Sequence, residues 1–226
     1  MPLDLQRHRL VRLTPAGWAG VQAGNRPPQA QAQAQAAVSH WARHDLPLVV
    51  ARQRVDDAGR GHVTLGLPAP TCWGRLRLAL SVPKTDLREA QALPEPATVT
   101  PLLAPEVRAA WTTLTGRLAA LGVTPRVYGG HGWQALTGLG YLRDGSDLDL
   151  WLPVQDAAQA DAVTAVLDGA EWRGPRLDGE IGLPDGAAVA WREWRQWRAG
   201  RADAVLVKRL TDVRLERDAQ WLTLTT

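Results

Sequence analysis

The chain has 226 residues, 45% apolar and 22% charged, which is ordinary globular usage and enough length for one large domain or two modest ones. Its 26 Lys and Arg against 23 Asp and Glu give a formal charge of +3 at pH 7; the excess is too small for a protein that wraps nucleic acid, though it suits an anionic small molecule or an acidic protein partner. A single cysteine, Cys72, excludes an internal disulfide and a multi-cysteine metal site, and the lack of an 18-residue apolar span, with Asp4, Arg7, Arg9 and Arg12 breaking the start, argues against a signal peptide or membrane span and for a reducing cytoplasm.

Residues 24–37, GNRPPQAQAQAQAA, are either a solvated linker or the start of a helix running through Trp41. LPLVVARQRV (46–55) and HVTLGL (62–67) read as strands around the turn-rich DDAGRG. CWGRLRLALSV (72–82) alternates Leu76, Leu78, Leu80 and Val82 with Arg75, Arg77 and Ser81, the period of a half-buried strand. Cys72 itself reads as buried, and His8, His40, His44 and His62 show no zinc spacing. The proline-rich LPEPATVTPLLAP (93–105) reads as a connector between an N-terminal domain, 1–100, and a second domain, 101–226.

From Pro105, the residues Val107, Ala110, Trp111, Leu114, Leu118 and Leu121 recur at helical spacing until Gly122. PRVYGG (125–130) reads as a short strand broken by two glycines, with a short helical piece around Trp133 to Leu136 after it. DGS (144–146) is a turn and DLDLWL (147–152) a strand; VQDAAQADAVTAVLDGA (154–170) is a helix with Val163, Val166 and Leu167 inward. RLDGEIGLPDGAAVAWREW (176–194) reads as two strands joined around Pro184 to Gly186. Strand–helix alternation with hairpins makes the second half an α/β or α+β mixed-sheet domain, preceded by a smaller α+β one.

Successive strand residues face opposite sides, so Asp147 and Asp149 share one face while Leu148 and Leu150 share the other. Two carboxylates so close repel unless a divalent cation lies between them or one stays protonated. Mg²⁺ takes oxygen ligands and is commonly held by one or two carboxylates plus substrate phosphates. Gly129 and Gly130, at a strand end leading into a helix, give phosphate the close backbone approach it needs. Together these features point to a metal-dependent nucleotidyl transfer site. Trp191, Trp194 and Trp197 interleave with Arg192, Arg195, Arg198 and Arg201; this is either a surface turn with guanidinium groups on indoles or a face for phosphate or an acidic carrier.

The run YGGHGWQALTGLGYLRDGSDLDLWL (128–152) resembles the signature of the phosphoribosyl-dephospho-CoA transferases that act on malonate decarboxylase, its holo-acyl-carrier-protein synthases. Tyr128, Gly129, Trp133, Gln134, Leu136 to Leu139, Tyr141, Leu142, Ser146, Asp147, Asp149 and Leu150 match. The family has Ser where this chain has Gly130, which removes a phosphate hydrogen bond typically worth about 1.5–3 kcal/mol. The resemblance implies a nucleotidyltransferase-like fold with Mg²⁺ on Asp147 and Asp149, and Gly129, Gly130, Ser146 and Lys208 at the substrate. It also implies a third carboxylate on the strand after the intervening helix, with Glu180 favoured, Asp178 on its face, and Glu193 as a second possibility. The implied reaction moves the phosphoribosyl-dephospho-CoA unit from 2'-(5''-triphosphoribosyl)-3'-dephospho-CoA to a serine of the malonate decarboxylase acyl carrier protein, releasing diphosphate, with Glu180 helping to deprotonate the serine. A nucleotidyltransferase acting on another carrier, such as that of citrate lyase, and a non-catalytic carrier-binding protein are the alternatives.

Overall fold

The structure, a computed structural model, describes residues 5–21 and 27–223. It divides into two units, each with its own sheet and core, as the mixed α+β reading implies.

The first unit comprises residues up to Ala92 together with Leu139–Tyr141 and Leu210–Asp212. Its strands are β1 (Leu10–Leu13), β2 (Leu48–Val50), β3 (His62–Pro68), β4 (Arg77–Pro83) and β5 (Leu87–Gln91), in the antiparallel order β4-β3-β2-β1-β5. In β4, Leu78, Leu80 and Val82 are buried while Arg77 and Ser81 are exposed, as the period-two pattern requires. After a short helix α1 (Pro15–Gly20), the Ala/Gln run lies in helix α2 (Pro28–Arg43), so the helical alternative holds; residues 24–26 of that run lie outside the described residues. Ala34, Ala37, Val38 and Trp41 recur at helical spacing and form its buried stripe, and the Trp41 indole N–H donates to the Pro47 carbonyl at 3.1 Å. Cys72 is exposed, correcting the buried reading: it lies in a single turn of 3₁₀ helix, Thr71–Trp73, ahead of the strand.

Only Leu48–Val50 of the stretch 46–55 is strand. The Gln53 side chain takes over the pairing: its amide donates to the Ala51 and Thr64 carbonyls at 2.7 and 3.1 Å and its oxygen accepts the Thr64 N–H at 2.9 Å. The chain then turns into helix α3 (Val55–Gly59), which carries Asp57 into the core.

The second unit comprises Leu93–Gly138, Leu142–Arg209 and the chain from Val213. The division thus falls at Ala92, not at residue 100. Residues 93–105 are no free connector: helix α4 (Pro96–Val99) puts Val99 into the second core, the Pro94 carbonyl accepts the Val127 N–H, and the Pro96 carbonyl accepts the Trp111 indole N–H. Helix α5 (Arg108–Ala120) follows as the spacing predicts.

The sheet of this unit contains β6 (Arg126–Tyr128), β7 (Leu148–Pro153), β8 (Leu177–Gly182), β9 (Ala188–Ala190), β10 (Val205–Lys208) and β11 (Val213–Glu216), in the order β11-β10-β9-β8-β7-β6. Every pairing is antiparallel except β7 with β8. Parallel neighbours need a crossover, supplied by helix α7 (Ala157–Asp168), whose N-cap Asp156 accepts the Gln159 N–H at 2.8 Å. Leu148, Leu150 and Leu152 are completely buried in one core with Val163 and Leu167 of α7 and Trp111 and Leu118 of α5. The alternate residues of β7 therefore point away from that core. Truncating one of these leucines to Ala removes roughly 2–5 kcal/mol.

After β9 the chain does not continue as strand to Trp194. It forms helix α8 (Trp191–Arg198), because tryptophans three apart reach one side of a helix; Trp191 and Trp194 are both buried in the core. A last short helix, α9, spans Gln220–Thr223.

Buried Asp57 accepts the Thr64 and Ser81 hydroxyl protons at 2.5 and 2.6 Å, and these two bonds hold its carboxyl below the usual carboxylate range. A depressed folded-state pKa stabilises above the unfolded value, near about 4, and that stabilisation is lost as pH falls through the folded value. Asp57→Asn should cost about 2 kcal/mol at pH 7 and flatten the acid side of the stability profile, measurable by thermal melting between pH 7 and pH 3.

Candidate active site

The side of the second sheet turned away from α5 and α7 carries the polar residues. Asp149 is opposite Asp178 in the parallel register of β7 and β8, and Trp151 is opposite Glu180. Paired residues of adjacent strands share a face, so the Asp149 and Asp178 side chains stand side by side on strands roughly 5 Å apart. Asp147 lies just before β7. All three are only partly buried.

A cation already lies among them. Arg176, immediately before β8, donates from Nε to Asp147 Oδ1 at 2.8 Å and from Nη2 to Asp147 Oδ2 at 2.5 Å and Asp178 Oδ2 at 2.9 Å. The Arg176 hydrogen bonds hold the Asp147 carboxyl below the usual range, with Arg192 adding a smaller push in the same direction. In return Asp147, Asp178 and the more distant Asp149 raise the Arg176 pKa further above its already high value. Its side chain is 58% exposed, so these contacts are made at a solvent-accessible mouth.

Helix α6 (Gly129–Thr137) starts where β6 ends, with Tyr128 opposite Asp149. Gly129 has φ +58°, and a Cβ there would collide with Asp149 Oδ2. Glycine is required on both counts, and the backbone of the turn lies directly against the carboxylate. Gly130 follows it, partly exposed. One residue further, a Cβ on Gly132 would strike the Val127 carbonyl, so the helix packs onto β6 at glycine distance.

His131 is 97% buried and its Nδ1 lies 2.9 Å from the Asp147 carbonyl oxygen, which can only accept. Nδ1 therefore bears the proton, and burial pushes the imidazole pKa down and keeps the ring neutral. His131 thus pins the backbone of Asp147 from beneath. Ser146 closes the turn before Asp147: its hydroxyl oxygen accepts the Arg143 N–H, and its own N–H donates to the Arg143 carbonyl, both at 3.0 Å.

Glu180 and Lys208 meet each other. Glu180 is buried, and the Lys208 ammonium donates to its Oε1 at 2.6 Å. The pair lies one alternation along β8 from Asp178, so the structure brings Asp178, and not Glu180, beside Asp149. The sequence signal for this was present in the two-residue spacing of Asp178 and Glu180, but the register that selects between them was not. Glu193 is on α8 and exposed. The arginine stripe is tied inward: Arg195 pairs with Asp168, Arg198 with Asp161 at 2.6 Å, Arg201 donates to Gln196 at 2.8 Å, and Arg192 donates to the Leu177 carbonyl at 3.0 Å with its guanidinium 4.3 Å from the Trp191 ring centre. Asp161 also accepts the Trp194 indole N–H at 2.8 Å. The stripe is thus mainly a clasp between α8 and α7.

Among the described residues no three His, Cys, Asp or Glu side chains form a ready metal cage. Asp147 and Asp149 offer the carboxylate oxygens that Mg²⁺ takes, with substrate phosphates needed to complete its shell, and the Arg176 guanidinium already attends Asp147 and Asp178.

Two family models match the chain. Residues 6–92 match the model of the phosphoribosyl-dephospho-CoA transferase MdcG N-terminal domain, and residues 89–219 match the model of its C-terminal domain. The chain belongs to the phosphoribosyl-dephospho-CoA transferase family. Relatives bearing the name phosphoribosyl-dephospho-CoA transferase include one from Xanthomonas campestris pv. campestris (strain 8004), 40% identical over 80% of this chain and 84% of the relative. Another, from Xanthomonas euvesicatoria pv. vesicatoria (strain 85-10), is 39% identical over 92% of both chains. A third, from Bradyrhizobium diazoefficiens (strain JCM 10833 / BCRC 13528 / IAM 13628 / NBRC 14792 / USDA 110), is 34% identical over 92% of this chain and 88% of its own. No solved structure matches the chain. The boundary between the two family models coincides with the division of the phosphoribosyl-dephospho-CoA transferase fold at Ala92.

Gly129→Ala forces a left-handed conformation that costs a non-glycine residue about 1–2 kcal/mol and drives the new methyl into Asp149. The variant should melt at a lower temperature and lose at least about tenfold in transfer rate, because misplacing a reacting group by an ångström has effects of that size or larger. Melting curves and a group-transfer assay check both.

Proposed function

We propose that this protein transfers the phosphoribosyl-dephospho-CoA unit of 2'-(5''-triphosphoribosyl)-3'-dephospho-CoA to a serine of the acyl carrier protein of malonate decarboxylase, in the cytoplasm, with release of diphosphate. The observation that carries the reading is the gathering of Asp147, Asp149 and Asp178 on one side of the sheet, against the glycine turn at Gly129 and around an exposed cation. Family membership supplies the substrate class. Among the described residues no helix is long and apolar enough to cross a membrane.

In the reaction the serine oxygen bonds to the phosphorus next to the ribose, the bond from that phosphorus to the diphosphate oxygen breaks, and the serine loses its proton. Phosphoryl-type transfer depends on positioning and charge neutralisation more than on covalent chemistry. Asp147 and Asp149 would hold Mg²⁺, which would supply charge neutralisation at the attacked phosphate. Gly129 and Gly130, at the start of α6, let phosphate oxygens reach backbone N–H groups without a side chain in the way. Ser146, whose oxygen already accepts a backbone N–H, has its own proton to donate to the substrate. Asp178 is our choice for the group that takes the serine proton, supported by its register opposite Asp149 and its solvent access. Glu180, on the same strand as Asp178 but buried and bound by Lys208 of β10, acts through the field of that ion pair.

Intact-mass measurement of apo carrier proteins incubated with the triphosphoribosyl precursor and Mg²⁺ tests the reading. The malonate decarboxylase carrier should gain the prosthetic group; modification of a citrate lyase carrier alone would change the partner, and modification of neither would refute the transfer. Asp147→Asn and Asp149→Asn should fold yet lose about 100-fold or more in rate, since even groups that only orient metal ligands are worth 10–100-fold. Wild-type protein should melt higher with Mg²⁺ plus precursor, and both variants should lose that shift.

A further inference from the structure

Arg176 does more than neutralise. It holds Asp147, one of the two proposed metal ligands, with two nitrogens and Asp178 with one of them. It also lines a cavity of about 260 Å³ at the C-terminal end of α7, together with Trp172, Trp191 and Arg192. Asp168, on the same cavity, is already paired with Arg195. Trp191 is 98% buried, and its indole N–H has no hydrogen-bond partner in the structure. Two guanidinium groups line one cavity, and the carboxylate on it, Asp168, is already neutralised by Arg195, which leaves the surface suited to a phosphate group.

We propose that Arg176 is a resident counter-cation that makes metal binding conditional on polyphosphate: it leaves Asp147 and Asp178 when the terminal phosphates of the substrate enter the adjoining cavity and take its guanidinium together with Arg192. The inference rests on the reading of Asp147 and Asp149 as metal ligands. The physical reason is an exchange of partners. Metal arriving alone must shed water, displace a bidentate guanidinium, and leave Arg176 without an anion, whereas metal arriving with polyphosphate lets Arg176 trade one bidentate oxyanion for another. Metal and polyphosphate then bind with positive coupling, each raising the affinity of the other by the same factor.

The test uses the full-length protein, Mn²⁺ as the observable cation, and inorganic triphosphate as the polyphosphate probe. By electron paramagnetic resonance titration, Arg176→Gln should bind Mn²⁺ alone at least about tenfold tighter than wild type, with Arg176→Lys in between, while wild type should approach that affinity only with triphosphate present. Arg192→Gln should change affinity for Mn²⁺ alone far less than Arg176→Gln does and should weaken triphosphate binding. Because Arg176 is exposed, these variants should fold, and melting curves confirm it. If Arg176→Gln binds Mn²⁺ no tighter than wild type while Asp147→Asn weakens binding, the counter-cation role is overturned and the ligand assignment stands. If neither Asp147→Asn nor Arg176→Gln alters Mn²⁺ binding, the metal reading itself falls. Full triphosphate affinity in Arg192→Gln would remove the cavity from the proposal.

Discussion

The parallel pairing of β7 with β8, from Leu148 opposite Leu177 to Pro153 opposite Gly182, is the constraint on which the rest of the second unit depends. It sets the leucines of β7 against α5 and α7, and it sets Asp149 beside Asp178 on the opposite side. At a strand spacing of roughly 5 Å and an effective dielectric of about 20, two such charges repel by on the order of 3 kcal/mol. A cation attending the carboxylates relieves that repulsion. Arg176 provides one within the chain, from the residue that immediately precedes β8.

Close approach to those carboxylates is then achieved by removing side chains. Gly129 is pressed onto Asp149, Gly132 onto the Val127 carbonyl, and Gly179 lies where a Cβ would enter the backbone of Leu150. Each glycine brings a backbone within reach of a strand, and the first also turns β6 into α6. The neutral His131 fastens the other side of the turn to the Asp147 carbonyl. In this arrangement the position held by Ser in the family and by Gly130 here is the second residue of α6, flanked by a glycine with a steric duty and a histidine with a hydrogen-bonding one.

The tryptophan-rich C-terminal part has a packing role that composition alone conceals. Trp191 and Trp194 fill the core that the helices share with the sheet, while Arg195 and Arg198 bind Asp168 and Asp161 on α7. The result ties the crossover helix to α8, and so steadies both strands that carry the carboxylates. Arg192 stands apart from that clasp, beside Arg176 at the cavity.

Features set by neighbours in sequence were legible without coordinates: the alternation that turns Asp149 away from buried Leu148 and Leu150, a helix within 105–122 that runs from Arg108 to Ala120, the alternation in β4, and the long signature from Tyr128 to Leu150 that marks the family. Local periodicity decides which side a residue faces, and a motif survives as a string. The tertiary structure alone decided which β8 carboxylate lies beside Asp149, that Glu180 belongs with Lys208, that Arg176 bridges Asp147 and Asp178, and that the Trp/Arg run is a helix with Trp191 and Trp194 in the core. Those outcomes turn on strand register across a crossover and on contacts between residues about 30 positions apart, and strand periodicity is the same for every register.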